Sequence, residues 1–467
     1  MALANLVRLK NERSLVERFL GLFAEVHPGE GRTALLLMLN LFILLTAYLV
    51  IKTVREPLIL AGGGAEVKTF AAAGQALLLL LVVPLYSLLA SKVNRIKLIN
   101  WVTAFFISNL IAFYFLAQFD LPLGVPFFLW VGIFNLLVIA QFWSFANDLY
   151  TEEAGKRLFA ILAFGGTAGA VLGPKIADWL FEPLGAYPLM LVAALLLGVC
   201  MALANWVNSL EQRGHQVKQK EAEKPLSRGD GFKLVMGSRY LLLIALLMIV
   251  VNAVNTTGEF ILGKKVTEEA RRVSEAIDSQ PRSQVAAASV TTKDKKKLEH
   301  DFIGKFYGNF FFWVNLSTAL IQLFLVSRVL KYLGVSTGLF FLPLIALGGY
   351  SLIAVWPVLR YIQIAKVLEN STDYSLQNTV RQALFLPTSR DTKYKAKAAI
   401  DTFFVRIGDV AAAALVYLGS AFALKTESFA LVNLAFVLVW LALAAGIGHH
   451  YRNLSALTAE GSTHAGA

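Results

Sequence analysis

Cysteine is nearly absent from this chain, charge is scarce, and the histidines avoid the apolar runs. One cysteine, Cys200, stands among 467 residues. This excludes an intrachain disulfide and any cysteine-based metal cluster. The six histidines, His27, His215, His300, His449, His450 and His464, fall outside the apolar runs and are expected in loops or tails. A membrane-embedded metallohydrolase would need them inside helices. Asp, Glu, Lys and Arg make up 16% of the chain, against about 25% in soluble domains, too few to cover a water-facing surface. No G-x-x-x-x-G-K-[S/T] loop occurs, which excludes a built-in nucleotidase domain. No nucleophile–base pair is recognisable, so neither enzymatic activity nor a cofactor is expected. The first 31 residues are charged and lack an apolar h-region, and no cleavable signal peptide is expected.

What the chain does have is apolar length. The hydrophobic set makes up 57% of it, gathered into runs that match the roughly 20 residues needed to cross a bilayer as a helix. The fold class expected is an all-α membrane protein of about twelve spans, at 33–59, 70–90, 98–117, 125–145, 158–180, 188–207, 241–262, 302–326, 337–356, 361–386, 396–418 and 429–447. The organisation follows: an N-terminal segment 1–32, a six-helix half 33–207, a polar linker 208–238, a second six-helix half 239–448, and a tail 449–467. A charged insert, 264–301, interrupts the second half outside the membrane; its middle is rich in Ser, Ala and Thr.

The net charge of +12 raises the possibility of nucleic acid, but its placement favours the positive-inside bias of membrane proteins. Arg8, Lys10, Arg13 and Arg18 precede the first span. Lys92, Arg95 and Lys97, then Lys156 and Arg157, Arg328 and Lys331, and Arg390, Lys393 and Lys395 fall in loops on the same side. Both termini are therefore expected in the cytoplasm. The turn Ser91-Lys92-Val93-Asn94-Arg95 after span two is echoed by Ser327-Arg328-Val329-Leu330-Lys331 after span eight. Such an echo fits two parallel repeats, as in major-facilitator transporters.

A charge at the bilayer centre costs on the order of 3 kcal/mol even on the lenient insertion scale, so charged residues within the spans mark a cavity or a partner. On span one, Lys52, Arg55 and Glu56 share a helix face by their spacing. They read as an anion site or as snorkelling to the interface, with the flanking apolar residues favouring the cavity. Asn147, Asp148, Glu153 and Arg157 surround the turn from span four to span five, as substrate contacts or as a gate. Asn252, Asn255 and Glu259 form one stripe on span seven. Glu259 reads as a proton or cation site, or as a partner for Lys52 or Arg55. Span ten is the most polar, with Lys366, Glu369, Asn370, Asp373, Tyr374, Asn378 and Arg381, and must face protein or water around most of its circumference. Lys395, Lys397, Asp401, Arg406 and Asp409 lead into span eleven; Arg406 with Asp409 reads as a buried pair, and Lys397 could reach an anion. Gly165, Gly169 and Gly173, one helical turn apart, read as close helix packing rather than a phosphate loop.

At these residues the chain resembles a known family. Tyr48-Leu49-Val50-Ile51-Lys52-Thr53-Val54-Arg55-Glu56, Phe142-Trp143-Ser144-Phe145-Ala146-Asn147-Asp148, Lys156-Arg157-Leu158-Phe159 and Lys395-Ala396-Lys397-Ala398-Ala399-Ile400-Asp401 resemble the ATP/ADP translocases of plastids and intracellular bacteria. The resemblance covers about residues 25–447. It implies a major-facilitator-like fold, nucleotide antiport by alternating access, and two lysines and two glutamates important for transport. The first lysine matches Lys52, and the second matches Lys395 or Lys397. One glutamate lands near Glu153 or on Ala154, and the other falls on Asn255, with Glu259 one turn later. The partners implied are a nucleotide or related small anion and the lipid bilayer, with no nucleic acid. The expected location is a bacterial inner membrane. Two other readings stand beside it: a proton-coupled transporter of another organic anion, with Glu259 or Asp373 carrying the proton, and a non-transporting scaffold or sensor docking through the 264–301 insert.

Overall fold

Glycine decides the first feature of the architecture. Helix α1, Gly31–Ala90, contains the first two expected spans with no loop between them. Sixty helical residues would reach about 90 Å, three times the roughly 30 Å hydrocarbon thickness. The helix is interrupted at Gly64, whose backbone (φ 75, ψ −177) is open only to glycine. The run Gly62-Gly63-Gly64 thus replaces the loop with a kink.

The computed structural model describes residues 17, 20, 25–90, 92–119, 121–150, 152–214, 230–278, 292–388 and 392–464. Arg8, Lys10, Arg13 and Arg18, the middle of the linker and the middle of the 264–301 insert lie outside these, as do Ser91, Asp120, Arg390 and the side chains of Lys156 and Lys393. The described residues are helical almost throughout, and nine helices are long and apolar enough to cross a membrane. α2 (Arg95–Leu116) starts at the predicted basic turn, where the Asn94 side chain caps it by accepting from the backbone N–H of Ile96. α3 (Gly124–Leu149), α4 (Glu152–Leu184) and α5 (Ala186–Gly214) follow. A short α6, Asp230–Gly237, leads into α7, Arg239–Asp278.

α7 continues to Asp278 and α8 already begins at Thr292 (Thr292–Ile321), so both flanks of the insert are helix. Ser274 on α7 donates to Glu299 on α8 at 3.4 Å. Four histidines are likewise helical: His300 on α8, and His449, His450 and His464 on the last helix. Nothing breaks the chain after residue 447, so the expected tail continues the helix to His464.

After α8 come a π-helical turn, Gln322–Val326, and then α9 (Ser327–Tyr332), α10 (Gly334–Gly338) and α11 (Phe341–Val355). Span ten is α12 (Leu359–Thr372), a second π turn (Asp373–Gln377) and α13 (Asn378–Ala383). Span eleven is broken by π turns at Thr392–Ala396 and Ile400–Phe404 around α14 (Lys397–Ala399), and continues as α15 (Val405–Ala421). These two spans are polar or interrupted, which is why they fall outside the nine. α16, Thr426–His464, closes the chain.

The chain forms two compact units. The first holds Met1–Leu58, Leu78–Glu221 and His300–Phe312; the second holds Ile59–Leu77, Ala222–Glu299 and Trp313–Ala467. One division, between Glu221 and Ala222, falls within the expected linker 208–238; in addition the middle of α1, 59–77, belongs to the second unit and the start of α8 to the first.

Within the first unit, α4 lies against α1 along its glycines. A Cβ on Gly165 or Gly169 would collide with the carbonyl oxygen of Met38 or Phe42, and one on Gly173 would sit 2.7 Å from that of Thr46. Asn100 on α2 and Asn205 on α5 exchange amide hydrogen bonds at 3.0 and 2.7 Å, a polar clasp that helices use where hydrophobicity no longer separates them from lipid. Phe127, Trp130 and Phe134 stack along α3, Phe127 on Trp130 at 5.5 Å and Trp130 on Phe134 at 5.6 Å. Large apolar side chains such as Leu77, Leu81, Trp101 and Leu195 stand exposed, as lipid-facing residues do.

Candidate functional site

Charged residues inside the helices fall into three groups in the first unit and three in the second. On α1, the ammonium of Lys52 lies over the ring of Phe311 at 4.4 Å from its centre. Arg55 pairs with its neighbour Glu56, with Nε 3.1 Å from Oε1, and its guanidinium covers Phe128 at 4.6 Å. Glu56 is fully buried. Rings help to compensate a cation through their quadrupole.

The second group is the α3–α4 turn. Asp148 forms an ion pair with Arg95, fastening the end of α3 to the start of α2. Asn147 and Glu153 are exposed. Arg157 reaches back to the segment before α1. It donates to both carboxylate oxygens of Glu30, at 3.1 and 2.9 Å, and to the carbonyl of Glu25 at 2.6 Å. Burial acts to raise the Glu30 carboxyl, but the bonds from Arg157 and from the backbone N–H of His27, with their charges, hold it below its ordinary value. A carboxylate depressed in the fold contributes stability above its unfolded pKa of about 4.3 and loses it as pH falls through the folded value. Arg157→Gln is therefore expected to lower the thermal midpoint at pH 7, with the difference from wild type closing below about pH 4. An equal difference at both pH values would remove this role from Glu30.

The third group lies on α4 and the start of α8. Lys175 donates to Asp178 at 2.8 Å. Its ammonium lies 5.6 Å from the ring of Trp179 and 5.7 Å from that of Phe312. Lys305 donates to Glu182 at 2.6 Å.

In the second unit, α7, α12, α11 and the middle of α1 build a buried network. Lys366 is fully buried; it donates to Asn255 at 2.9 Å and to Glu369 at 3.0 Å, with Glu259 at 3.9 Å. The Tyr350 hydroxyl, itself buried, donates toward Glu369 at 3.0 Å. Glu259 accepts from Asn370 at 3.0 Å and lies 3.7 Å from Lys68. Within the second unit, Glu259 thus has Lys68 and Lys366 as charged neighbours. Two cations and two carboxylates balance here, so the network is close to neutral with every member ionised.

Asp409 on α15 collects three donors: Asn252 at 2.7 Å, Thr256 at 2.9 Å and Arg406 at 3.1 Å. Asn252 also donates to the carbonyl of Val405 at 2.8 Å, and Gly408 lets α15 lie against the backbone of Ile249. This is a clamp between α7 and α15. One turn before it, Lys397 lies 3.8 Å from Asp401. Lys395 is half-buried in a π turn, and Asp373 is half-buried at the first position of another. π turns recur at functional positions because they re-aim side chains without ending the helix.

Among the participants with no role in the sequence reading are Lys68, Lys175, Asp178 and Tyr350. The signal for Lys175 is present, since Lys175 and Asp178 stand at i,i+3 inside span five. Lys68 lies between the glycine run and span two, where it reads as loop; only the continuous helix shows otherwise. Among the described residues, no three His, Cys, Asp or Glu side chains come together in a way that could hold a metal ion.

Residues 128–451 match the family model described as TLC ATP/ADP transporter. A relative, the ADP,ATP carrier protein 1 of Chlamydia pneumoniae, is 24% identical over 406 residues, covering 77% of this chain and 69% of that protein. The protein of the same name from Chlamydia trachomatis serovar D is 23% identical, over 66% of this chain and 62% of its own length, so the chain spans less than two thirds of that relative. Among solved structures, a bacterial homologue of the iron transporter ferroportin in its inward-facing state superposes with a TM-score of 0.62, at 14% identity, over 89% of this chain and 98% of the other. That likeness shows the fold, a major-facilitator-type arrangement.

Proposed function

The chain belongs to the TLC ATP/ADP transporter family, and from that premise we propose that it exchanges nucleotides across a membrane by alternating access. It is an integral membrane transporter and not an enzyme. The observation that carries the nucleotide reading is the family match through residues 128–451. The ring-backed cation Lys52, in the segment that resembles the translocases, supports it.

A nucleotide presents several phosphate charges and a flat base. Lys52, Lys395 and Lys397 are the cations proposed to meet phosphate in the course of transport. Asn147, Asn255 and Glu259 are assigned to the rest of the substrate. Arg55 is largely committed to Glu56, so its charge acts as background rather than as a direct ligand. Glu56, Asp148, Glu153, Arg157, Asp373, Asp401, Arg406 and Asp409 serve as ion-pair and gating partners. Exchange rather than one-way transport follows from the cost of reorienting an empty cationic site: counter-substrate supplies the negative charge on the return. The basic loops support cytoplasmic termini and an inner-membrane location.

The test is uptake of labelled ATP into proteoliposomes preloaded with ADP. Saturable uptake that requires internal ADP is expected. Lys52→Ala is expected to reduce it about ten- to a hundredfold, the equivalent of losing hydrogen bonds to a charged group worth about 1.5–3 kcal/mol. Lys52→Arg should retain most of it. No nucleotide uptake, or uptake driven by a pH gradient without internal nucleotide, would overturn the reading.

A further inference from the structure

The third charged group of the first unit lies where α4 and the start of α8 touch. Gly304 and Gly308 on α8 leave no room for a side chain: a Cβ on Gly304 would collide with the ring of Phe181, and one on Gly308 would lie 3.0 Å from Cβ of Asp178. One further turn along the same face stands Phe312. The glycine contacts therefore fix the position of Phe312 relative to α4, and its ring comes 5.7 Å from the ammonium of Lys175. The adjacent residue, Phe311, is buried with the Lys52 ammonium 4.4 Å from its centre. Two lysines from two different helices thus converge on consecutive rings of a third. Phe312 is half-buried, unlike Phe311. Lys175 is 29% exposed and Asp178 19%, so the pair is not sealed inside the packed interior.

Resting on the nucleotide reading, we propose that Lys175 joins Lys52, with Phe311 and Phe312, in one nucleoside-phosphate site inside the first unit. The two ammonium groups take the phosphates. The exposed part of the Phe312 ring stacks the base, a contact that tolerates base identity because every base has a π face. Asp178 is the resident anion on Lys175: an incoming phosphate replaces its carboxylate. Sequence spacing pairs Lys175 with Asp178; only the packing of α8 brings Phe312 beside them.

The experiment is titration calorimetry on the purified full chain in detergent, with ADP and with pyrophosphate as separate probes. Wild type is expected to bind both. Lys175→Met should weaken both about tenfold, and Lys175→Arg should restore them. Phe312→Leu should weaken ADP about tenfold and leave pyrophosphate unchanged. Asp178→Asn should tighten both probes, because the competing carboxylate is gone. If wild type binds and Lys175→Met and Phe312→Leu bind both probes as wild type does, the site is wrong and the nucleotide reading stands. If Phe312→Leu and Lys175→Met weaken both probes alike and Lys175→Arg restores nothing, the group is a packing element and the proposal fails. Wild type that binds neither probe overturns both readings.

Discussion

Lys366→Met should be the most destabilising single change in the second unit, by about 3–5 kcal/mol. The Lys366 side chain is 1% exposed and that of Glu369 is 7% exposed, with 3.0 Å between the charges. Removing the ammonium leaves the Glu369 carboxylate buried with the Tyr350 hydroxyl as its remaining close donor. It also leaves the Asn255 carbonyl without the bond it accepts at 2.9 Å. The attraction within such a pair is offset by the desolvation of both ions, so the intact pair contributes little net stability. Breaking it is costly because one desolvated ion remains. The double variant Lys366→Met with Glu369→Gln should therefore recover part of the loss. Recovery is read as the heating midpoint for monodisperse elution from a sizing column. A double variant no better than the single one would mean that packing around Lys366, and not its charge, holds α7 and α12 together.

Gly169→Val should disrupt the first unit with comparable force. A Cβ at this position meets the carbonyl oxygen of Phe42 and comes within 3.1 Å of its Cα. A carbonyl on a helix cannot rotate away as a side chain can, so α1 and α4 must separate. Separation also breaks the neighbouring contacts of Gly165 with Met38 and Gly173 with Thr46. The cost should exceed the roughly 1–3 kcal/mol typical of an overpacked core. Cys200 supplies the measurement: it is the only cysteine and is buried between α5 and α1, its thiol directed at the Asn40 carbonyl at 3.6 Å. A thiol-reactive fluorophore thus reports the opening of this unit on heating. Gly169→Ala should lower that midpoint and Gly169→Val should lower it much further. Gly198→Ala, where nothing lies within 4 Å, should leave it unchanged. Equal midpoints for Gly169→Ala and Gly198→Ala would refute the close approach of α1 and α4.

These two residues mark how legible the molecule is before folding. The glycine spacing at 165, 169 and 173 shows which face of α4 is narrow, because residues four apart share a helix face. It does not name α1 as the partner. Lys366 is visible as a charge in a span too polar for lipid, which implies a partner without identifying it. The kink at Gly64 lies in a visible glycine run, yet it reads as a loop because a run of glycine signals both.

The sequence by itself determined that this is a helical membrane protein, which segments are apolar enough to cross, and that Lys52 and the residues around it resemble a nucleotide translocase. Those properties are local: apolar length, one-turn spacing and short motifs are written along the chain. The pairings were decided only by the tertiary structure. Lys68 meets Glu259, Tyr350 meets Glu369, and Lys175 meets Phe312 because helices far apart in sequence pack side by side. An ionic contact acts over a few ångströms, and which residues come that close is set by packing of whole helices, not by order along any one of them.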